Sequence, residues 1–480
     1  MRATPFSLSV WDCKAMSINA YFKDYKRRLI APQDASAMVT SGMSIHLGGG
    51  ANVAAIIDKY LAQRKDELKD VTVRTFLDTH SYEILRVDPR GDVFKWYSGF
   101  VMPHTRSFAG DRGCGMYAPA SWHLVPDIVR RQYAFDILFL VTSPMNLNGN
   151  FSFGLTVGHM KALTDVSRKV VVVVREDMPA TFGGREAKIH ISKVDQIVED
   201  CEFETYCLPA PEVSAADRIV AENILSAGLI KDGTTLQVGI GGLPNSVLDA
   251  LPRAGIKHCG LHSEMLTEKM VDLIECGVVD NSRKKLDPNK SVCTFALGSK
   301  RLYRFIADNP AVVFHPVNYV NNPLIVARQP QMFSLNSALE IDLTGQVASE
   351  QIGGLRPRQI SGTGGQLDFV TGAMLAEDGA GVSVLAISSQ YHDQSRIVPL
   401  LSEGTAVTVP RSAVDYVATE WGIAHLKGLT IDERAQSLIQ IAHPHHRDKL
   451  AQQAAKTGLL PYGASVIMEK RNKGIIYYRD

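Results

Sequence analysis

The sequence predicts an α/β protein built from two related open-sheet domains. Short, continuous apolar runs at Ile137 to Val141, Val170 to Val174 and Val382 to Ile387 have strand length, and such runs fit strands buried on both faces of a parallel sheet. Helical patterns such as Glu433 to Ile441 alternate with them. A strand, glycine turn and helix also occur twice, once from Gly42 to Asn52 running into Val53 to Leu61 and once from Gly233 to Asn245 running into Ser246 to Leu251, as expected of an internal duplication.

A chain of 480 residues exceeds what one ordinary core accommodates, so two domains of roughly 200 residues are expected. Pro209, Pro211 and Ser214 punctuate the pattern and divide it into 16–212 and 213–460. The opening Met1 to Asp12 reads as an extension, with Met16 an alternative start before an amphipathic segment from Tyr21 to Ile30; its single basic residue and interrupted apolar run make a poor signal peptide. No apolar run approaches the roughly 20 residues of a membrane-spanning helix.

The formal charge is +1, with both signs mixed along the chain, which supports neither nucleic acid nor a charged membrane surface as a partner. Seven scattered cysteines without a C-x-x-C pair argue against a disulfide framework or a zinc site and fit a reducing cytoplasm. Small molecules are the expected ligands.

The chemistry concentrates around Leu261-His-Ser-Glu-Met265, one strand-loop-helix unit beyond Gly239-Ile-Gly-Gly-Leu-Pro-Asn245. Glu264, at the carboxyl end of a buried strand, is usable as an oxygen nucleophile because a carboxylate is ordinarily ionised at neutral pH and needs no activating base. The glycine stretch superficially matches a dinucleotide fingerprint, but Pro244 stands where a third glycine should allow tight helix packing; a loop cradling an anionic or carbonyl-bearing ligand is the better reading. Ser361-Gly-Thr-Gly-Gly-Gln-Leu-Asp-Phe369 is a second glycine-rich turn, whose N–H groups suit an oxyanion hole or simply a tight turn. His262 reads either as a catalytic group or as a hydrogen-bonded core histidine, with alternation placing it on the same strand face as Glu264. His443-Pro-His-His446 sits at a helix entry without a carboxylate or cysteine at ligand spacing, so no metal is expected.

These stretches, with Phe295-Ala-Leu-Gly-Ser299, Asn318-Tyr-Val-Asn-Asn-Pro323, Ser395-Arg-Ile-Val-Pro399 and Thr419-Glu-Trp-Gly-Ile-Ala424, resemble the acetyl-CoA hydrolase/transferase family in order and spacing from about Tyr25 to about Leu450. The likeness is greatest to its butyryl-CoA:acetate and 4-hydroxybutyrate CoA-transferase branch. The resemblance implies two α/β domains of the CoA-transferase type and a nucleophile at Glu264 that passes through an acyl anhydride to a glutamyl-CoA thioester. It further implies that CoA lies along Gly241, Gly242, Leu243, Pro244 and Asn245, with main-chain contacts from Gly364 and Ile360, and that Asn321 and Glu420 lie near the reacting centre.

The implied activity is ping-pong transfer of CoA between a short-chain acyl-CoA (butyryl-, 4-hydroxybutyryl- or acetyl-CoA) and a carboxylate such as acetate. A hydrolase using the same glutamate and a non-catalytic acyl-CoA or nucleotide sensor are the alternatives. No cofactor beyond CoA as substrate and no metal is implied, and a homo-oligomer is expected. The chain departs from the family pattern at Trp421, which would narrow the acyl pocket, at His445, and in the tail after Gly458.

Overall fold

The computed structural model describes residues 20–109, 115–460 and 475–478; the opening extension, Met16 and most of the tail lie outside the described residues. The apolar runs all form strands, as Phe135–Thr142, Ser167–Val174 and Val382–Ala386. Val170 to Val174 are between 0% and 6% exposed, so these β-branched side chains fill the core on both sheet faces.

The N-terminal half carries seven parallel strands in the spatial order Gln196–Glu199, Ser167–Val174, Phe135–Thr142, Ser44–Gly49, Val71–Phe76, Phe94–Ser98 and Gly115–Tyr117. The C-terminal sheet runs Gly260–Leu261, Thr235–Val238, Met332–Ser337, Val382–Ala386 and Tyr416–Thr419 in parallel, then Gly422–His425 and Ile475–Tyr478 antiparallel at the edge. Beyond Gly260–Leu261, a single bridge from His262 to Val292 leads to Ser291–Cys293, which pairs with Val312–Phe314. Outward from the first strand of each half, the second, third and fourth strands therefore follow on one side and the fifth, sixth and seventh on the other. Identical order in both halves is what a duplicated unit would produce, and it agrees with the repeat read in the sequence.

Val312–Phe314 also pairs in parallel with Phe182–Gly183 of the N-terminal half, joining the halves through backbone hydrogen bonds. In each half, the strand order reverses next to the first strand. Such switch points leave a crevice at the carboxyl ends of the strands. Among the described residues, no helix is long and apolar enough to cross a membrane.

The anticipated helices form as Ala55–Ala62, Gly242–Ala250 and Ile431–Ile441. The last begins earlier than its apolar pattern because Thr430 and Glu433 close a capping box, satisfying N–H groups that the helix cannot. His443 caps Pro444–Lys456, its side chain accepting the His445 N–H, which gives the histidine cluster a structural role at the helix entry.

Candidate active site

The second strand of the C-terminal half leaves its sheet at Ser263 and Glu264. The Ser263 N–H still donates to Val292, while the Glu264 carbonyl accepts from Thr294 and Phe295 at 3.0 and 3.2 Å. Met265–Leu266 then pairs with Phe295–Ala296 in a separate two-stranded piece. This fixed jog aims the Glu264 side chain into a cavity of about 380 Å³ between the halves, within the usual size range of small-molecule sites. Phe76, Phe100, Met102 and Trp122 wall it from the N-terminal half. Gly239 and Ile240, at the switch point after Thr235–Val238, wall it from the other.

Asn321 is fully buried and donates from Nδ2 to Glu264 Oε2 at 2.5 Å. The same amide lies 3.5 Å from Asp368 Oδ2. His123 anchors Asp368 through its backbone N–H at 3.1 Å and its Nδ1 at 2.8 Å. Burial pushes the Glu264 carboxyl up to about 8; the Asn321 hydrogen bond and the Gly365 N–H oppose that rise, and the Asp368 charge adds to it. The expectation of a glutamate already ionised at neutral pH is therefore corrected: desolvation favours its protonated form there. The sequence shows the residue but not the apolar walls that desolvate it.

The turn from Ser361 to Phe369 closes the cavity and is held by the N-terminal half. Tyr117 accepts the Thr363 N–H at 2.7 Å, Trp122 N–H donates to Gly364 at 3.1 Å, and Arg106 Nε donates to the Ile360 carbonyl at 2.7 Å. Gly364 adopts φ +54°. A Cβ on Gly365 would lie 2.0 Å from Glu264 Oε2 and 2.1 Å from Asn321 Nδ2, so only glycine lets the main chain come this close to both. The sequence singles out this turn; its partners Tyr117, Trp122 and His123 carry no local pattern that would have marked them.

Glu264, Asn321 and Gly364 are thus brought together, and Ile360 borders the same turn without lining the cavity. Glu420 is elsewhere: it sits in the turn between Tyr416–Thr419 and Gly422–His425, accepts Ser389 N–H at 2.9 Å and Ser389 Oγ at 2.5 Å, and does not line this cavity. Gly241, Gly242, Leu243, Pro244 and Asn245 follow Gly239 and Ile240 in the chain but do not themselves line this cavity. Gly241, at φ 127°, precedes the helix, Gly242 has no room for a side chain because a Cβ would lie 2.2 Å from the Glu212 carbonyl, and Leu243 is buried.

His262 is a core residue. Its Nε2 meets the Val320 carbonyl at 2.8 Å and its Nδ1 meets Gln329 at 3.2 Å, with burial lowering its pKa to about 3. It therefore steadies the short helix ending at Asn321 instead of sharing the Glu264 environment, because the strand breaks before alternation can place both on one face. Trp421 packs on His443, ring centroids 5.4 Å apart, and does not narrow the acyl cavity as expected from the sequence.

A carboxyl group held by an amide and a glycine turn, in a crevice between two duplicated open-sheet halves, defines a two-domain α/β protein equipped for acyl chemistry. The chain belongs to the acetyl-CoA hydrolase/transferase family, whose N-terminal domain matches residues 13–209 and whose C-terminal domain matches residues 298–454. It is 36% identical over 440 residues to a probable butyrate:acetyl-CoA coenzyme A-transferase of Syntrophomonas wolfei, covering 91% of this chain and 97% of that one. It is 39% identical to the 4-hydroxybutyrate coenzyme A transferase of Clostridium kluyveri, over 76% and 82% of the two chains. Among solved structures, RipA from Yersinia pestis superposes with a TM-score of 0.82 at 33% identity, covering 92% of this chain and all of the other. The 4-hydroxybutyrate CoA-transferase from Porphyromonas gingivalis gives 0.74 at 30% identity, covering 91% and 100%.

Proposed function

We propose that the protein transfers CoA between a short-chain acyl-CoA and a carboxylate such as acetate, with Glu264 as the nucleophile. The observation that carries this reading is the Glu264 carboxyl facing the cavity between the halves while Asn321 holds it from behind. The ionised carboxylate attacks the thioester carbonyl, the C–S bond breaks, and an acyl-glutamyl anhydride and CoA thiolate result. The thiolate then attacks the glutamyl carbonyl, forming the glutamyl-CoA thioester and releasing the first carboxylate. A second carboxylate repeats these steps in reverse, which gives ping-pong kinetics.

Desolvation makes Glu264 harder to ionise but leaves the ionised form poorly hydrated and reactive. Binding energy from the remote part of CoA can meet that cost and hold the carbonyl at attack distance. In this reading the Gly365 N–H steadies the Glu264 carboxylate, and the glycine turn lets a main-chain N–H come close to the developing oxyanion. CoA is a substrate here, and the proposed chemistry uses no further cofactor or metal.

Relatives named as a butyryl-CoA:acetate CoA-transferase and as 4-hydroxybutyrate CoA-transferases favour four-carbon acyl groups as those exchanged with acetate. Acetyl-CoA hydrolases are also relatives, at 25% identity for that of Candida glabrata; water in place of the second carboxylate would give that activity on the same residues. Butyryl-CoA consumption followed with and without acetate tests the reading: acetate-dependent formation of acetyl-CoA, abolished in Glu264→Ala, is expected. Activity of even a few per cent in that variant would overturn the assignment of the nucleophile, and equal loss of butyryl-CoA without acetate would make the protein a hydrolase.

A further inference from the structure

A second cavity, of about 200 Å³, lies on one face of the N-terminal sheet beneath the helix Val125–Gln132. The parallel register sets His46, Arg74 and Tyr97 side by side on adjacent strands, and all three line this space together with Tyr133 and His159. None of its lining residues is acidic.

Both histidines are 3% exposed, and in each the Nδ1 is committed as an acceptor. His46 Nδ1 takes the Gly48 N–H at 3.0 Å and His159 Nδ1 takes the Trp122 indole N–H at 3.3 Å. An indole or a main-chain nitrogen can only donate, so the proton of each neutral ring must sit on Nε2. Burial keeps the rings neutral, lowering His159 to about 4 and His46 well below its ordinary value. Neither Nε2–H has a protein acceptor among the described residues. The same tautomer rules out metal ligation through Nε2, which would need the lone pair that the proton occupies.

Arg74 supplies the third donor. Its guanidinium lies between the rings of Tyr133 and Tyr97, 4.2 and 4.8 Å from their centroids, and has no carboxylate partner among the described residues. Two N–H donors that line the cavity and a half-buried cation without a counter-ion are open to an acceptor that joins all three. The remaining walls include Phe76, Phe135, Val129 and Leu163, which hydrate an inorganic anion poorly but accept an alkyl chain.

We infer that this cavity binds a short-chain monocarboxylate, its head on Arg74, His46 and His159 and its tail against the apolar wall, at a site separate from the Glu264 cavity. Phe76 lines both cavities, and Trp122 joins His159 on one side to the Gly364 turn on the other. An occupant would thus touch one wall of the acyl site, Phe76, and reach a second, Trp122, through His159. The inference does not depend on transfer chemistry.

Fluorine NMR of trifluorobutyrate with the full-length chain tests it. The expected result is a bound resonance that Glu264→Ala retains, that Arg74→Met weakens by about tenfold or more, as loss of a charge-assisted contact should, and that butyrate displaces while inorganic phosphate does not. Gln132→Trp, a substitution of an exposed residue on the cavity rim, should block the same resonance and carries the test if Arg74→Met fails to fold. The absence in Glu264→Ala of any bound resonance that Arg74→Met weakens or Gln132→Trp blocks, or displacement of that resonance by phosphate as effectively as by butyrate, would overturn the inference.

Discussion

Replacing Asn321 by alanine is expected to raise the pH at which the protein gains activity. In the free protein, Glu264 titrates at about 8 because burial outweighs its donors, so kcat/KM for the acyl-CoA should climb about tenfold per pH unit below that value and level off above it. Asn321 Nδ2 approaches the carboxylate to 2.5 Å. A hydrogen bond to a charged acceptor contributes about 1.5–3 kcal/mol, and 1.36 kcal/mol corresponds to one pKa unit, so the inflection should move up by roughly 1–2 units. At pH 7 the ionised fraction then falls a further ~10- to 100-fold, and kcat/KM falls with it. Asp368→Asn supplies the opposite sign: the Asp368 charge raises the Glu264 pKa, so neutralising it should lower the inflection. Steady-state rates at limiting acyl-CoA from pH 6 to 10 would follow both. An inflection that stays put in Asn321→Ala, or wild-type activity already flat from pH 5, would refute the reasoning.

Gly365→Ala should cost about 10- to 100-fold in kcat/KM while the chain still folds, because its Cβ would displace Glu264 or Asn321 from contact and forfeit a charge-assisted hydrogen bond; rates and a thermal melt on the same preparation separate the two effects. Glu264→Gln should be more stable than the parent chain at high pH. A carboxyl whose pKa rises on folding contributes stability fully present below its unfolded value, near 4.5, and lost as pH rises through about 8, so denaturant titrations should show the advantage of Gln growing across that window to on the order of a few kcal/mol; an advantage independent of pH would contradict the raised pKa. Glu420→Gln should leave the inflection of kcat/KM unmoved, since Glu420 bonds Ser389 and lies outside the Glu264 cavity. A shift of half a unit or more would place it at the reacting centre after all.

The strands, the duplicated plan and the glycine turns were legible in the sequence because each depends on local patterning: β-branched runs for buried strands, glycine where φ turns positive, and Pro244 in the first turn of a helix. What joins them was not. Asp368 meets His123 across 245 positions of chain, and no spacing rule connects them. Glu264 was visible as a carboxylate, but its titration depends on Phe76, Phe100 and Trp122 from the other half, which line the same cavity. Glu420 and Trp421 show a different limit. A place along the chain does not fix a direction, and the tight turn between two antiparallel strands points them toward Ser389 and His443. For His262 the sequence left a catalytic group and a hydrogen-bonded core histidine both open, and its contacts with Val320 and Gln329 select the second.

The most direct test of the central claim is the intact mass of the protein after brief exposure to butyryl-CoA and borohydride, with and without acetate. A covalent species that maps to Glu264 and disappears when acetate is added is the predicted result. The same conditions leaving the mass unchanged while acetyl-CoA accumulates would contradict a glutamyl-CoA intermediate and, with it, the role given to Glu264.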